Sequence, residues 1–248
     1  MLRRLFKFLL AISVLLIMLP IAVGAALSYS KGWATGWRSA NWSSAGILPA
    51  ASDDQPAAVY VMAARSGRWK GIFAVHHWIV LKPKGASAYE RFEVVGWGTP
   101  VRRNAYDPDG HWYSSVPVIV HQLRGLEAEV ALPKLHAAIE AYKWSIPGDY
   151  VVWPGPNSNT FVATIARQVP ELGAELDAVG VGKDWLGPGL RHASMPSGTG
   201  YQVSWGGYIG AGVAMREGVE LHFLGTTIGV DFDDLAIKLP ALGKIGLR

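Results

Sequence analysis

The chain has 248 residues, a formal net charge of +4, 50% hydrophobic residues and no cysteine. The absence of cysteine excludes disulfide scaffolds, cysteine-based metal sites and thiol nucleophiles, so any chemistry must use oxygen or nitrogen groups. The length is sufficient for a substantial core, and the scarcity of charge excludes a disordered chain. Arg3, Arg4 and Lys7 carry three of the positive charges, which leaves +1 (4 − 3) for residues 28–248 and argues against nucleic-acid binding.

The first 27 residues form a candidate membrane segment. Twenty residues without a charged side chain, Phe8 to Leu27, follow the basic cluster. Twenty helical residues span about 30 Å, which is the thickness of the bilayer's hydrocarbon core. The basic flank places the N-terminus in the cytoplasm and the rest of the chain across the membrane. We expect an uncleaved inner-membrane anchor with a periplasmic domain, and small residues near Ala25 keep a cleaved signal peptide as the alternative.

Residues 28–57 are rich in Ser, Ala, Gly and Trp, a composition typical of a linker. Trp33, Trp37 and Trp42 lie just beyond the apolar run, where tryptophan favours the headgroup region. A role in stacking on a ligand is the alternative. We therefore predict a tether over 28–57 and an extracytoplasmic domain over 58–248.

Within that domain, residues 58–176 alternate in a way that predicts strands followed by helices. Turn residues separate the β-prone runs, and apolar residues recur at helical spacing in two later segments. The predicted strands are Val59–Met62, Ile72–Leu81, Phe92–Trp97 and Val116–Leu123, and the predicted helices are Val130–Trp144 and Asn159–Gln168. Residues 177–248 are glycine-rich, with predicted strands at Gln202–Trp205, Val213–Met215, Glu220–Leu224 and Thr227–Val230. Segregated helices and strands predict an α+β fold.

The segment Trp153-Pro154-Gly155-Pro156-Asn157-Ser158-Asn159-Thr160-Phe161 is the most informative motif. Cap-forming residues precede an apolar-periodic helix, so Ser158 is expected at the helix N-terminus, where free amides and the helix dipole stabilise negative charge. That position suits a nucleophile. An ordinary helix cap is the alternative.

A second motif, His76-His77-Trp78-Ile79-Val80-Leu81, places two histidines inside an apolar strand. Alternate strand residues face opposite sides, so His77 shares a face with Ile79 and Leu81. His77 is a candidate general base, and a hydrogen-bonded core histidine is the alternative.

Together the two motifs resemble the circularly permuted branch of the NlpC-type, papain-like superfamily, which includes the lecithin:retinol acyltransferase-like proteins. The resemblance implies a papain-like core over 58–176, with His77 as the base and Asn157, Ser158 and Phe161 at the positions of the motif's Asn, catalytic cysteine and Phe. The wider segment also resembles a bacterial family of unknown function that carries the same Trp-Pro-Gly-Pro-Asn-Ser-Asn-Thr-Phe run.

Serine in place of cysteine changes the chemical requirements of such a site. A serine hydroxyl is not ionised near neutral pH, so it needs a base during attack, and that base needs an orienting partner. Glu93 on the adjacent predicted strand is the candidate orienter and Asn159 is a weaker one, with a solvated strand residue as the alternative for Glu93. The amides at Ser158 and Asn159 are candidate oxyanion donors.

Three hypotheses follow. The first is a membrane-anchored serine hydrolase or acyltransferase acting on envelope peptides or lipids. The second is a non-catalytic module that binds such a peptide or lipid in the same cleft, and the third is an interaction subunit. We expect no cofactor and no metal, because the histidines lack metal-site spacing and the acidic cluster at Asp231, Asp233 and Asp234 is typical of a surface turn.

Overall fold

The computed structural model describes residues 2–32, 34 and 36–246 of the chain. It begins with a continuous helix, α1, which consists of an α-helical part Leu2–Ser13, a π-helical turn Val14–Met18 and a second α-helical part Leu19–Lys31. Its segment Phe6–Lys31 is long and apolar enough to cross a membrane. The predicted apolar helix is therefore present, and Trp33 lies outside the described residues.

The first half of the domain is a five-stranded antiparallel sheet with helices on one face. Its strands are β1 Ala58–Arg65, β2 Val75–Lys82, β3 Glu90–Val94, β4 Val101–Arg103 and β5 Val118–Arg124, in the spatial order β4-β3-β2-β1-β5. A short 3₁₀ helix, Arg68–Ile72, joins β1 to β2. Sequence patterning had predicted four of these strands and missed the short β4.

Two α-helices, α2 Leu126–Glu140 and α3 Ser158–Gln168, cover one face of this sheet. Their apolar stripes bury Leu135, Phe161 and Ile165 completely against Ile79 and Leu81 of β2. α2 begins four residues earlier than its predicted start, at Leu126. This helix-covered core holds α3 against β2 and thereby fixes the position of Ser158 relative to the sheet.

The other face of the sheet is covered by loops. Trp78 and Trp112 are buried there, and Trp42 packs edge-on against Trp112 with ring centroids 5.2 Å apart. Asp109 accepts hydrogen bonds from Ser44 Oγ and from two backbone amides of the same segment. The predicted linker over 28–57 therefore has two parts. Its first residues are the end of α1, which extends to Lys31, and its later residues, including 42–48, pack on the domain. Trp42 belongs to this aromatic cluster, which supplies its apolar contacts.

The second half of the domain is a seven-stranded antiparallel meander. Its strands are β6 Leu190–Ser194, β7 Gly200–Trp205, β8 Ile209–Ala214, β9 Gly218–Phe223, β10 Thr226–Asp231, β11 Ala236–Leu239 and β12 Gly243–Gly246, each paired with its neighbours in sequence. Both sheets are antiparallel, and the two α-helices of the domain lie between them in chain order. This arrangement confirms the α+β prediction. Three strands, β6, β11 and β12, were not predicted.

Candidate functional site

The N-terminus of α3 lies at the base of a cleft between the two halves of the domain. Asn157 caps the helix: its side-chain oxygen accepts hydrogen bonds from the amides of Asn159 and Thr160, and its side-chain nitrogen donates to Val152 and Val181 carbonyls. All the bonding capacity of this amide is used by the backbone around it. Asn157 is therefore a structural cap that fixes the start of the helix, as its residue type predicts.

Ser158 is the first residue of α3 and is only 4% exposed. Among the described residues, neither its hydroxyl nor its backbone N–H makes a hydrogen bond. Unpaired amides and the positive end of the helix dipole favour an electron-rich oxygen at such a position. Ser158 thus offers two unused donors at the base of the cleft.

The cleft has a volume of about 280 Å³, and most of its lining side chains are apolar. Trp69 and Phe73 come from the β1–β2 connection, Trp153 from the segment before α3, and Leu224 from the β9–β10 turn. The indole N–H of Trp153 donates to the Leu224 carbonyl over 2.9 Å, which joins the two halves of the domain at the cleft. The volume lies near the lower end of the usual range for small-molecule sites, about 300–1,000 Å³.

Polar groups other than Ser158 also reach the cleft. Lys70 supplies a cation, and Tyr150 supplies a phenol. Burial raises the pKa of Tyr150 to about 12, so this phenol is neutral near pH 7 and is available as a hydrogen-bond donor.

His77 lies behind the cleft and is fully buried. As the strand alternation predicted, it faces the helices together with Ile79 and Leu81. Its Nδ1 lies 2.8 Å from Oδ1 of Asn159, whose amide nitrogen donates to the Val181 carbonyl and so fixes that oxygen toward the imidazole. Nδ1 therefore carries a proton and donates to Asn159.

The other ring nitrogen of His77, Nε2, lies 3.0 Å from a carboxylate oxygen of Asp177. Both ring nitrogens thus face oxygen acceptors, and only the doubly protonated imidazolium satisfies both. Burial alone would raise the pKa of Asp177, but the hydrogen bond and charge of His77 hold it below its ordinary value. His77 and Asp177 form a hydrogen-bonded pair, and no hydrogen bond joins His77 to Ser158 in the described part of the chain.

Glu93 is adjacent in the sheet to β2, as predicted, but it lies on the opposite face from His77. The register pairs Ile79 with Phe92, so Glu93 shares the loop-covered face with His76 and Trp78. It binds His76 Nε2 at 2.8 Å and Arg91 Nη2 at 2.9 Å. Glu93 therefore does not orient His77.

The environment of Glu93 shows a structural role. The carboxylate is completely buried. Burial alone would raise the pKa of Glu93, whereas the His76 hydrogen bond and the Arg91 charge hold it below its usual value. The guanidinium of Arg91 also lies 4.1 Å from the centre of a Trp78 ring. This buried network ties β2, β3 and the loops together beneath the sheet.

The partner that the sequence analysis missed is Asp177, which lies 100 residues from His77. The Asp177–Gly180 turn packs directly on the imidazole: a Cβ on Gly180 would lie 3.1 Å from Cε1 of His77. No local pattern in the sequence marks Asp177 as a histidine partner. The glycine at position 180 is consistent with this close approach, since glycine is often required where another group comes this near, but the sequence does not show which group approaches it.

Asp233 and Asp234 form the predicted turn after β10, whereas Asp231, which was predicted to belong to the same surface turn, is the last residue of β10 and is buried. Asp231 accepts the amides of Asp233 and Asp234. Glu175, Asp231 and Asp234 converge closely enough to hold a cation, but the ammonium group of Lys244 bonds to all three. Lys238 also pairs with Glu175 and Asp231, so two lysines offset most of the charge of these three carboxylates.

Comparison with known proteins places the domain in one family. No curated protein and no solved structure shows significant similarity to the chain. Residues 56–185 match a family described as protein of unknown function (DUF3750). The matched region covers just over half of the chain and includes His77, Ser158 and Asp177. The chain therefore belongs to the DUF3750 family of proteins of unknown function.

Proposed function

We propose that the protein is a membrane-anchored binding module whose cleft holds a lipid-like molecule, with an apolar chain against the cleft walls and an oxygen-bearing end at Ser158. The observation that carries the proposal is the pairing of His77. With both its nitrogens engaged by Asn159 and Asp177, the imidazole has no free lone pair to accept a proton from Ser158. Binding needs only the unused donors of Ser158, and these are present.

The lining of the cleft supports a lipid over a polar ligand. Trp69, Phe73, Trp153 and Leu224 supply apolar walls, and Lys70 gives a positive charge that complements a carboxylate or phosphate. The anchor supports the same ligand class, because α1 keeps the cleft close to a bilayer.

We place the protein in the inner membrane with its domain on the periplasmic side, on the basis of the basic N-terminal flank. A reporter fused after Arg248 is expected to be active outside the cytoplasm, and activity restricted to the cytoplasm would refute this orientation.

The binding proposal is tested by photocrosslinking with a diazirine fatty acid in nanodiscs. We expect crosslinks on cleft peptides that contain Trp69 or Trp153. Loss of the Ser158 hydrogen bond in Ser158→Ala should weaken cleft labelling by about three- to tenfold, the equivalent of one hydrogen bond. Ser87→Ala, which removes an exposed hydroxyl from a loop, is the matched control and should label like the native protein. Equal labelling of Ser158→Ala and native protein would refute the role of Ser158.

A serine hydrolase or acyltransferase acting on envelope peptides or lipids is the second candidate function. It is favoured by the buried, unpaired Ser158 at a helix N-terminus, next to the Asn159–His77–Asp177 chain, and by the resemblance to the permuted papain-like fold. In this candidate Asn159 must leave Nδ1 of His77, and Nδ1 must release its proton to solvent, before the imidazole can accept the proton of Ser158. A fluorophosphonate separates the two candidates: an adduct on Ser158, absent from Ser158→Ala, supports the hydrolase, and the binding module gives no adduct.

A further inference from the structure

The seven-stranded meander presents its apolar side to the outside. The strand register places Tyr201, Val203 and Trp205 of β7 on one face with Val219, Leu221 and Phe223 of β9, and all six are exposed. In the described residues of the seven strands, the positions on this face include no Asp, Glu, Lys or Arg. The exposed face is therefore largely apolar across strands β7 to β11, with His192 and Ser194 of β6 and Thr226 of β10 as its polar residues.

The opposite face, turned toward the rest of the domain, is polar and charged. Glu220, His222 and Lys238 are buried there, and Glu220 bonds to both Lys238 and Lys183 at 2.8–2.9 Å. An antiparallel sheet with one solvated face normally shows the reverse, with apolar residues inside and polar residues outside. The ionic residues pair within the domain, whereas the apolar residues of the opposite face stay exposed in the described chain.

The size of this face exceeds what a soluble domain normally leaves exposed. Seven strands about 4.8 Å apart give a width of about 29 Å, and the four six-residue strands β7 to β10 are each about 20 Å long at about 3.3 Å per residue. Contiguous apolar patches larger than a few hundred Å² mark membrane or protein interaction sites.

The contact between the meander and α1 indicates what covers the exposed face of the sheet. The β11–β12 turn lies against α1: a Cβ on Gly24 would be 2.7 Å from that of Ala241. Gly24 lies three residues inside the apolar run that ends at Leu27, about 4.5 Å along the helix. With α1 spanning the bilayer as proposed, this contact would hold one end of the sheet at the depth where acyl chains meet headgroups. Trp205 and Tyr201 add the aromatic side chains that favour this zone.

We infer that the outer face of the meander rests on the lipid bilayer as a second membrane contact. The inference depends on the proposed anchorage by α1 and goes beyond the cleft's function. The sheet's apolar residues enter the outer edge of the acyl region while the ionic layer stays within the domain.

Because the chain has no native cysteine, a single introduced cysteine can be labelled at one known position. Single cysteines replace Leu221 and Val203 on the face, Leu15 in α1 and Ala137 on the exposed side of α2, each carrying a nitroxide in the full chain. The proteins are placed in nanodiscs of phosphatidylethanolamine and phosphatidylglycerol. Collision of each label with oxygen, which concentrates in lipid, is compared with collision with a water-soluble nickel complex. Two face positions guard against one variant that fails to fold.

We expect the labels at 15, 203 and 221 to favour oxygen and to lose collision with nickel, and the label at 137 to do the opposite. If 15 favours oxygen while 203 and 221 collide with nickel as 137 does, the sheet contact is refuted and the anchor stands. If 15 also collides with nickel, the anchorage itself fails. If the labels at 203 and 221 show spin–spin coupling between chains and exclude both reagents, a second copy covers the face and the inference is overturned.

Discussion

Replacing Asp177 by asparagine tests whether His77 is held as an imidazolium. In the native protein the fully buried ring is balanced by a carboxylate whose side chain is 34% exposed. A hydrogen bond to a charged group contributes about 1.5–3 kcal/mol, and the partial exposure of Asp177 favours the lower part of that range. We expect Asp177→Asn to lose about 2 kcal/mol of unfolding free energy. For a chain of this size the apparent melting temperature should fall by about 4–8 °C.

The pH dependence of that difference gives a sharper test. The pKa of Asp177 is lowered in the folded protein from its ordinary value of 3.8. The stabilisation is therefore complete above about pH 5 and is lost as pH falls through the folded pKa, since the native carboxyl then becomes neutral like the amide. The melting difference between native protein and Asp177→Asn should be full at pH 7 and should narrow below pH 3.8.

The assay is thermal unfolding of the full chain, followed by near-ultraviolet circular dichroism across this pH range. Asp53→Asn is the matched control, because Asp53 is exposed and, in the described chain, its carboxylate accepts a hydrogen bond only from the neighbouring Ser52 hydroxyl. It should change the free energy of unfolding by less than about 0.5 kcal/mol. If Asp177→Asn melts with the native protein at pH 7, or if its deficit persists unchanged in acid, His77 is not part of a charged pair and its availability as a base must be reconsidered.

Three further substitutions test other parts of the structure. Glu93→Gln should lower the free energy of unfolding by about 3–5 kcal/mol in chemical denaturation, because it leaves a buried cation without its partner, yet cleft photolabelling per folded molecule should be unchanged. Gly182→Ala should cost about 1–3 kcal/mol and weaken cleft labelling, since Gly182 has φ of +92° and a Cβ there would lie 2.4 Å from the Asn157 side chain. If residues 40–57 are part of the domain, Trp42→Ala should lower the free energy of unfolding by about 1–3 kcal/mol in the same denaturation assay. No measurable loss would show that these residues form a flexible tether.

Much of the local structure was readable from the sequence because it depends on neighbouring residues. The start of α3 follows from a cap residue before an apolar-periodic run, and the face of His77 follows from the period of two along β2. The short strands β4 and β12 were missed because three or four residues give too little periodicity to recognise.

The candidate site was only partly predictable, for a geometric reason. Asn159, the weaker choice for the orienter, does bond to His77, whereas Glu93 does not. Adjacency of β2 and β3 was foreseen, but the pairing register decides which side chains share a face, and register depends on the whole sheet. Asp177 contacts His77 because the Asp177–Gly180 turn packs on the imidazole, and no local sequence pattern predicts that contact.

The sequence by itself determined the apolar N-terminal helix, the α+β alternation and the cap at Asn157, since each depends on side chains within one or two turns of chain. Tyr201, Val203 and Trp205 alternate with polar neighbours in the sequence, although two opposed faces were not predicted from this pattern. Only the tertiary structure decided that the polar face turns inward. The lysines and carboxylates that pair there come from distant segments, and their mutual neutralisation lets the domain bury charge and leave its apolar side outside.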